Sequence, residues 1–345
     1  MPTITSNSIF KTVITSNQSG RFKKLEFLGD AYLEFVITVL LFERFPNLQK
    51  KLLVEMMRDL LSNKHLGDLS RQIGLLKGTK SIPQGSKRHA DVFEAYFGGI
   101  ALEAGTTTYF DKRTSNVWEA WNKTTCFMLE KSKDKFMDFA DLYASSTNER
   151  GCEIEIICGD TIDPLRKITQ LRNNRMKDLT DLFNAEPDDY ERRFSLERLQ
   201  VLGNTTLKYF LTKIYSDNLT DYTVKDLANL RDSRMKDSKI IGLTGKYLDQ
   251  PSYSLLYSLF NKNKKKLGFG PNAAIIKQFL GYLVATHYLN SSDKGMRELF
   301  LLGWNECESF VKSIYYDDML KEARNKHRKF RHSKITDPRV LDSSY

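Results

Sequence analysis

Residues 25–33 read LEFLGDAYL, and 174 positions further on residues 199–207 read LQVLGNTTL. The frame of leucines around a glycine is the same, yet Glu26 is answered by Gln200 and Asp30 by Asn204. Around the first stretch, apolar residues return at steps of three and four: Leu25, Leu28, Tyr32, Phe35, Val36, Val39 and Leu40, with Pro46 beyond them. That period predicts one long, well-buried helix from Leu25 to Phe45, and the proline marks its end. Glu26 and Asp30 lie one turn apart on it, so both carboxylates project from one face.

Outward from that helix the pattern stays helical. LLVEMMRDLLSNKHLGDLSRQIGL predicts helix from 52 to 75, KGTKSIPQGSKRH (77–89) interrupts it with glycine, proline and basic residues, and ADVFEAYFGGIALEAG opens another apolar helix near Ala90. No segment alternates as a strand would, so the expected fold class is all-α. The repeat extends beyond the opening motif. NKHLGDLSRQIGL (63–75) is echoed by DSRMKDSKIIGL (232–243), and ADVFEAYFGGI (90–100) by AAIIKQFLGYL (273–283). Three blocks recurring in one order indicate an internal duplication. STNERGCEIEIICGD breaks the helical pattern between the copies, and KEARNKHRKFRHSK (321–334) reads as a basic helix end leading into a tail. The expected division is a first domain over 1–147, a second over 148–320 and a basic tail over 321–345.

With 345 residues, 41% of them apolar, the chain is long enough for two cores. Its 53 Lys and Arg against 43 Asp and Glu leave +10, which suits an anionic partner such as nucleic acid. Cys126, Cys152, Cys158 and Cys307 lack metal-ligand or redox spacing and read as thiols of a reducing, intracellular compartment, with nucleus, cytoplasm and mitochondrion left open. The longest apolar run, FVITVLLF at 35–42, is far short of a membrane span, so no membrane partner is expected. The first 25 residues carry no acid and suit an organellar leader in composition, but they run directly into the signature helix.

Asp91 and Glu94 share a face of the second apolar helix, as Glu26 and Asp30 do on the first. Gly29 stands beside Asp30, and Gly98 and Gly99 follow Glu94 by a turn, so the two backbones can cross closely and bring four acids together. Like charges at such range raise one another's pKa and call for a cation. Oxygen-only donors select a hard ion, Mg2+ first and Mn2+ as its substitute. The plain alternative for each acid is a solvated surface charge.

KLEFLGDAYLE and HADVFEAYFGGI resemble the two signature segments of the ribonuclease III family, and LLSNKHLGDLSRQIGL resembles the segment between them. The resemblance covers roughly 10–115 and 175–290. It implies an all-α protein of two fused, Dicer-like ribonuclease III-type domains forming an intramolecular pseudo-dimer. The first domain would be a Mg2+-dependent endoribonuclease cutting double-stranded or structured RNA, with Glu26, Asp30, Asp91 and Glu94 as metal-binding and catalytic residues. In the second copy Gln200, Asn204, Ala274 and Lys277 take those four places, so that domain is expected to be degenerate. Family comparison also puts Phe27 at the contact between the domains, facing the neighbourhood of Val201. Two features depart from the family pattern: Lys23 stands where an acid is usual, and the helix that normally opens the domain is largely missing before Ile9.

RNA contacts are expected from Lys80, Lys87 and Arg88 in the first basic stretch and from Lys264, Lys265 and Lys266 in NKNKKKLGFGPN (261–272). Two other readings keep the fold without turnover by this chain alone. One is a structural RNA-binding subunit of a ribonucleoprotein, as in mitochondrial ribosomes; the other is an accessory partner of a second ribonuclease III chain.

Overall fold

The structure is a computed structural model that describes residues 2–14, 20–45, 48–76, 87–105, 110–147, 190–244, 269–289 and 296–335. Its described residues form twelve helices and no strand: α1 (Asn7–Ile14), α2 (Gly20–Arg44), α3 (Lys50–Leu60), α4 (Asn63–Gln72), α5 (Lys87–Gly105), α6 (Phe110–Lys131), α7 (Lys133–Thr147), α8 (Tyr190–Asn218), α9 (Val224–Arg234), α10 (Asp237–Thr244), α11 (Phe269–Leu289) and α12 (Met296–Ile335). The all-α expectation holds. The segment linking the two copies, Lys80 and Lys264 to Lys266 lie outside the described residues.

α2 is buried nearly all round, from Phe22 to Glu43, because neighbours close on it from every side: α5 across one face, α8 across another, α3 and α6 beside them. α8 is packed in the same way by α11, α2 and α12. Both crossings are closer than ordinary helix packing. A Cβ on Gly29 would lie 1.8 Å from the Glu94 carbonyl oxygen, and one on Gly98 would lie 1.9 Å from that of Leu25. The second copy repeats this, with Gly203 against Lys277 (1.6 Å) and Gly281 against Leu199 (2.1 Å). Only glycine permits backbones that near. The same contact at the same repeat positions also aligns Glu94 with Lys277 in three dimensions.

α2 and α8 meet around an approximate two-fold relation that the repeat makes visible. Phe35 and Tyr209 are counterparts 174 positions apart, and their rings stack at 5.5 Å and 7°. Lys24 and Arg198 are counterparts too. Arg198 donates to the carbonyls of Phe42 (2.8 Å) and Phe45 (2.9 Å) at the end of α2, and Lys24 donates to that of Thr220 just past the end of α8. Each helix thus begins where the other ends: Arg198 satisfies a carbonyl that the C-terminus of α2 leaves open, and Lys24 binds one in the turn after α8. Trp121, Phe210, Phe300 and Trp304 fill the space beside Phe35, so a single apolar cluster runs through both copies.

One expectation needs correction. The helix expected throughout 52–75 is broken at Leu61–Ser62 into α3 and α4. Ser62 is the reason: its hydroxyl accepts from the His65 backbone N–H and caps α4. The basic stretch at 321–334 continues α12, which ends at Ile335.

His65 ties α4 to the junction of α6 and α7 through a 2.8 Å hydrogen bond with Ser132. Burial, assisted by Lys135, pushes its pKa down to about 4 from 6.5. Between those values unfolding takes up a proton that the folded imidazole refuses, so stability is present above pH 6.5 and falls as the pH falls toward 4. His65→Gln should flatten that part of the profile by about 1–2 kcal/mol, discounted for partial exposure. Urea unfolding of both proteins at pH 7 and pH 5 checks this; identical pH slopes would remove His65 as the cause.

Candidate active site

The glycine contact between α2 and α5 fixes what faces what. Glu26, one turn before Asp30 on α2, comes to Asp91 and Glu94 on α5, and carboxylate oxygens of these three residues lie within 4.8 Å of one another. Asp91 is buried, while Glu26 and Glu94 are partly so. Burial pushes the Glu94 carboxyl up to about 8, with Asp30, Glu26 and Asp91 adding to the rise. Glu26 is raised too, chiefly by burial and against the pull of Lys23. Concentrated negative charge with little water is the cause in both.

Two lysines stand in the cluster. Lys23 Nζ lies 2.5 Å from Glu26 Oε2 and 3.5 Å from Asp91 Oδ2, and burial disfavours its charge less than those acids favour it, so its pKa is raised. Lys87, at the start of α5, places Nζ 3.8 Å from Asp91 Oδ1. That oxygen is buried and has no hydrogen bond, since 3.8 Å is an ion-pair distance only. An oxygen-only donor set, a carboxyl held far from its usual range and an orphaned carboxylate oxygen together fit a hard divalent cation. Sequence reasoning noted Lys23 only as a departure from a pattern; its place between Glu26 and Asp91 follows from the helix crossing.

Asp30 does not join the other three. Its Oδ2 accepts from Lys208 Nζ at 2.9 Å, and the same ammonium donates to Glu34. The side chain of Asp30 is 48% exposed and that of Lys208 18%. Burial works against the lysine charge, but Asp30 and Glu34 outweigh it and raise its pKa. Of the expected RNA-contacting residues that are described, Lys87 faces Asp91 and Arg88 is exposed beside it on α5. Phe27 is buried under the Arg231 guanidinium of α9, 4.7 Å from the ring centre, and Val201 is buried on α8. In the second copy, Lys277 pairs with Asp237 at 3.1 Å, so the place of Glu94 holds an internal cation. Neither Lys208 nor Arg231 was singled out from the sequence, because their partners lie more than a hundred residues away.

Comparison with known proteins covers the same helices. Residues 23–105 match the family model of the ribonuclease III domain. Ribonuclease 3 of Zunongwangia profunda is 38% identical over 88 residues, 24% of this chain and 36% of that protein. Ribonuclease 3 of Pseudomonas fluorescens strain SBW25 is 31% identical over 140 residues, 38% of this chain and 58% of that protein. The chain therefore spans between about a third and three fifths of the curated relatives it matches. The crystal structure of Dicer from Giardia intestinalis superposes with a TM-score of 0.45 at 15% identity, over 86% of this chain and 54% of that one. Among the described residues no helix is long and apolar enough to cross a membrane. It is over the stretch that holds α2, α4 and α5, with Glu26, Asp91 and Glu94 on its two crossing helices, that the chain matches the ribonuclease III domain.

Proposed function

We propose that this chain is a Mg2+-dependent endoribonuclease that cuts double-stranded or structured RNA at one active site, in a first domain over 1–147. The degenerate second domain, 148–320, completes the pseudo-dimer and holds the duplex. The observation that carries this reading is the convergence of Glu26, Asp91 and Glu94 on the stretch that the family model matches, together with the buried Asp91 oxygen that has no hydrogen bond. These residues and Asp30 would hold the ion, which when bound supplies an activated water and charge stabilisation at the phosphoryl oxygens. Within the chain, Glu26, Asp91 and Glu94 present the oxygen donors, Lys23 and Lys87 limit the negative charge of the site, and the glycine crossing keeps the three carboxyl groups at fixed separation. Mn2+ would substitute for Mg2+. The basic residues Lys80, Lys87, Arg88 and Lys264 to Lys266 would meet phosphates along the duplex, and Phe27 and Val201 would belong to the interface between the domains.

The asymmetry of the two copies gives the test. With Gln200, Asn204, Ala274 and Lys277 at the second set of positions, one bound chain should cut one strand of a duplex. Single-turnover cleavage of a duplex labelled differently on each strand should yield one product per binding event, with the monomer verified by light scattering. Simultaneous cutting of both strands by a monomer would refute the single-site reading. A second reading, a non-catalytic RNA-binding subunit or accessory partner, is favoured by Lys23, whose ammonium already lies between two of the acids. Duplex binding with no hydrolysis in Mg2+ or Mn2+ would select it.

A further inference from the structure

Asp30 stands apart from the three clustered carboxylates and pairs with a lysine from the other half of the chain. Lys208 lies on α8, and its ammonium bridges Asp30 Oδ2 and Glu34 of α2. Position 208 is the repeat counterpart of position 34, so the same place carries a carboxylate on α2 and an ammonium on α8. A second copy of the first half, seated on α2 with the same two-fold relation, would bring Glu34 to Asp30 and repel it. Only the altered half brings a cation there. The half that has lost its own acids thus supplies the partner of an acid in the half that keeps them.

We propose that Lys208 is a positioning residue acting between the two halves: by holding Asp30 against Glu34 it keeps the fourth carboxylate off the cluster and lowers the affinity of Glu26, Asp91 and Glu94 for a divalent cation. The inference rests on the metal reading given above and adds a control on it. Two effects act in one direction. Lys208 engages a carboxylate that would otherwise be available as a ligand, and its ammonium, 2.9 Å away, offsets that carboxylate's negative charge. Asp30 is the more exposed partner of the pair, so it is the one free to turn once the lysine is gone.

The test is Mn2+ binding by the full chain, read from the free-ion electron paramagnetic resonance signal, without RNA. Lys208→Met should bind Mn2+ about tenfold more tightly than wild type, a difference of about 1.4 kcal/mol. Lys208→Arg, which keeps charge and reach, should stay within about twofold of wild type. Combining Asp30→Asn with Lys208→Met should remove most of the gain. Circular dichroism and melting verify that each variant folds; if Lys208→Met does not, Lys208→Gln takes its place with the same expectation. Equal Mn2+ affinity in wild type and the neutral variants overturns the inference and leaves the metal site standing. So does a gain that survives Asp30→Asn, because the lysine would then act through general charge and not by holding Asp30. Absence of Mn2+ binding in every variant overturns both this inference and the metal reading.

Discussion

Glu94→Gln should lower RNA cleavage by about a thousandfold or more, roughly 4 kcal/mol in the barrier, while duplex affinity in Ca2+ changes by less than about threefold. The substitution keeps shape and removes one of the three carboxyl groups whose oxygens lie within 4.8 Å of one another. Asp91→Asn should behave alike. The same change should stabilise the metal-free protein, and the sign depends on pH. In the fold Glu94 holds its proton up to about pH 8, whereas an unfolded glutamate releases it near 4.5. Folding therefore takes up a proton between those values, so wild-type stability declines as the pH rises from about 4.5 to 8 and stays lowered above it. A glutamine in that place has no proton to take up and carries no such penalty. The metal-free variant should melt with wild type at pH 4 and be more stable by about 2–4 kcal/mol at pH 8.5. Undiminished cleavage by Glu94→Gln would remove the residue from the site; equal melting at pH 8.5 would remove the crowding that the geometry describes.

Gly29→Ala should destabilise the protein by at least about 4 kcal/mol, a large share of the stability of an ordinary domain. The added methyl would lie 1.8 Å from the Glu94 carbonyl oxygen and 2.8 Å from the Gly98 nitrogen, and neither is the end of a flexible side chain. α2 and α5 would have to separate, and Glu26 would leave Asp91 and Glu94. Gly203→Ala should cost as much although the second copy has no acids to lose, because its methyl would meet the Lys277 carbonyl oxygen at 1.6 Å. Cleavage should fall with it, since α8 packs directly on α2. Gly242→Ala, where an added methyl meets nothing within 4 Å, is the control and should shift the melting point little. A Gly203→Ala protein as stable as wild type would mean that the second crossing is not built like the first.

The glycines explain why so much could be read in advance. A glycine in a frame of leucines, repeated 174 residues on, is a local pattern, and the all-α class, the long helix through LEFLGDAYL and the pairing of Asp91 with Glu94 all rest on such patterns. The break at Ser62 was also local, but the apolar period ran through it on both sides and hid the cap. Asp30 was different in kind. Its spacing from Glu26 put it on the correct helix face, yet a charged side chain on a half-exposed face goes to whichever partner is nearest in space, and Lys208 stands on a helix that only the fold brings there.

By itself, then, the order of residues determined the helices, the duplication and the two acid-bearing faces, because backbone hydrogen bonding and apolar periodicity act over a few residues. Tertiary structure decided what those faces meet. It set Lys23 between Glu26 and Asp91, stacked Phe35 on Tyr209, crossed the ends of α2 and α8 with Lys24 and Arg198, and gave Asp30 to Lys208. Those choices follow from Coulombic attraction and close packing between segments far apart in the chain, which depend on distance in space and leave no period in the sequence.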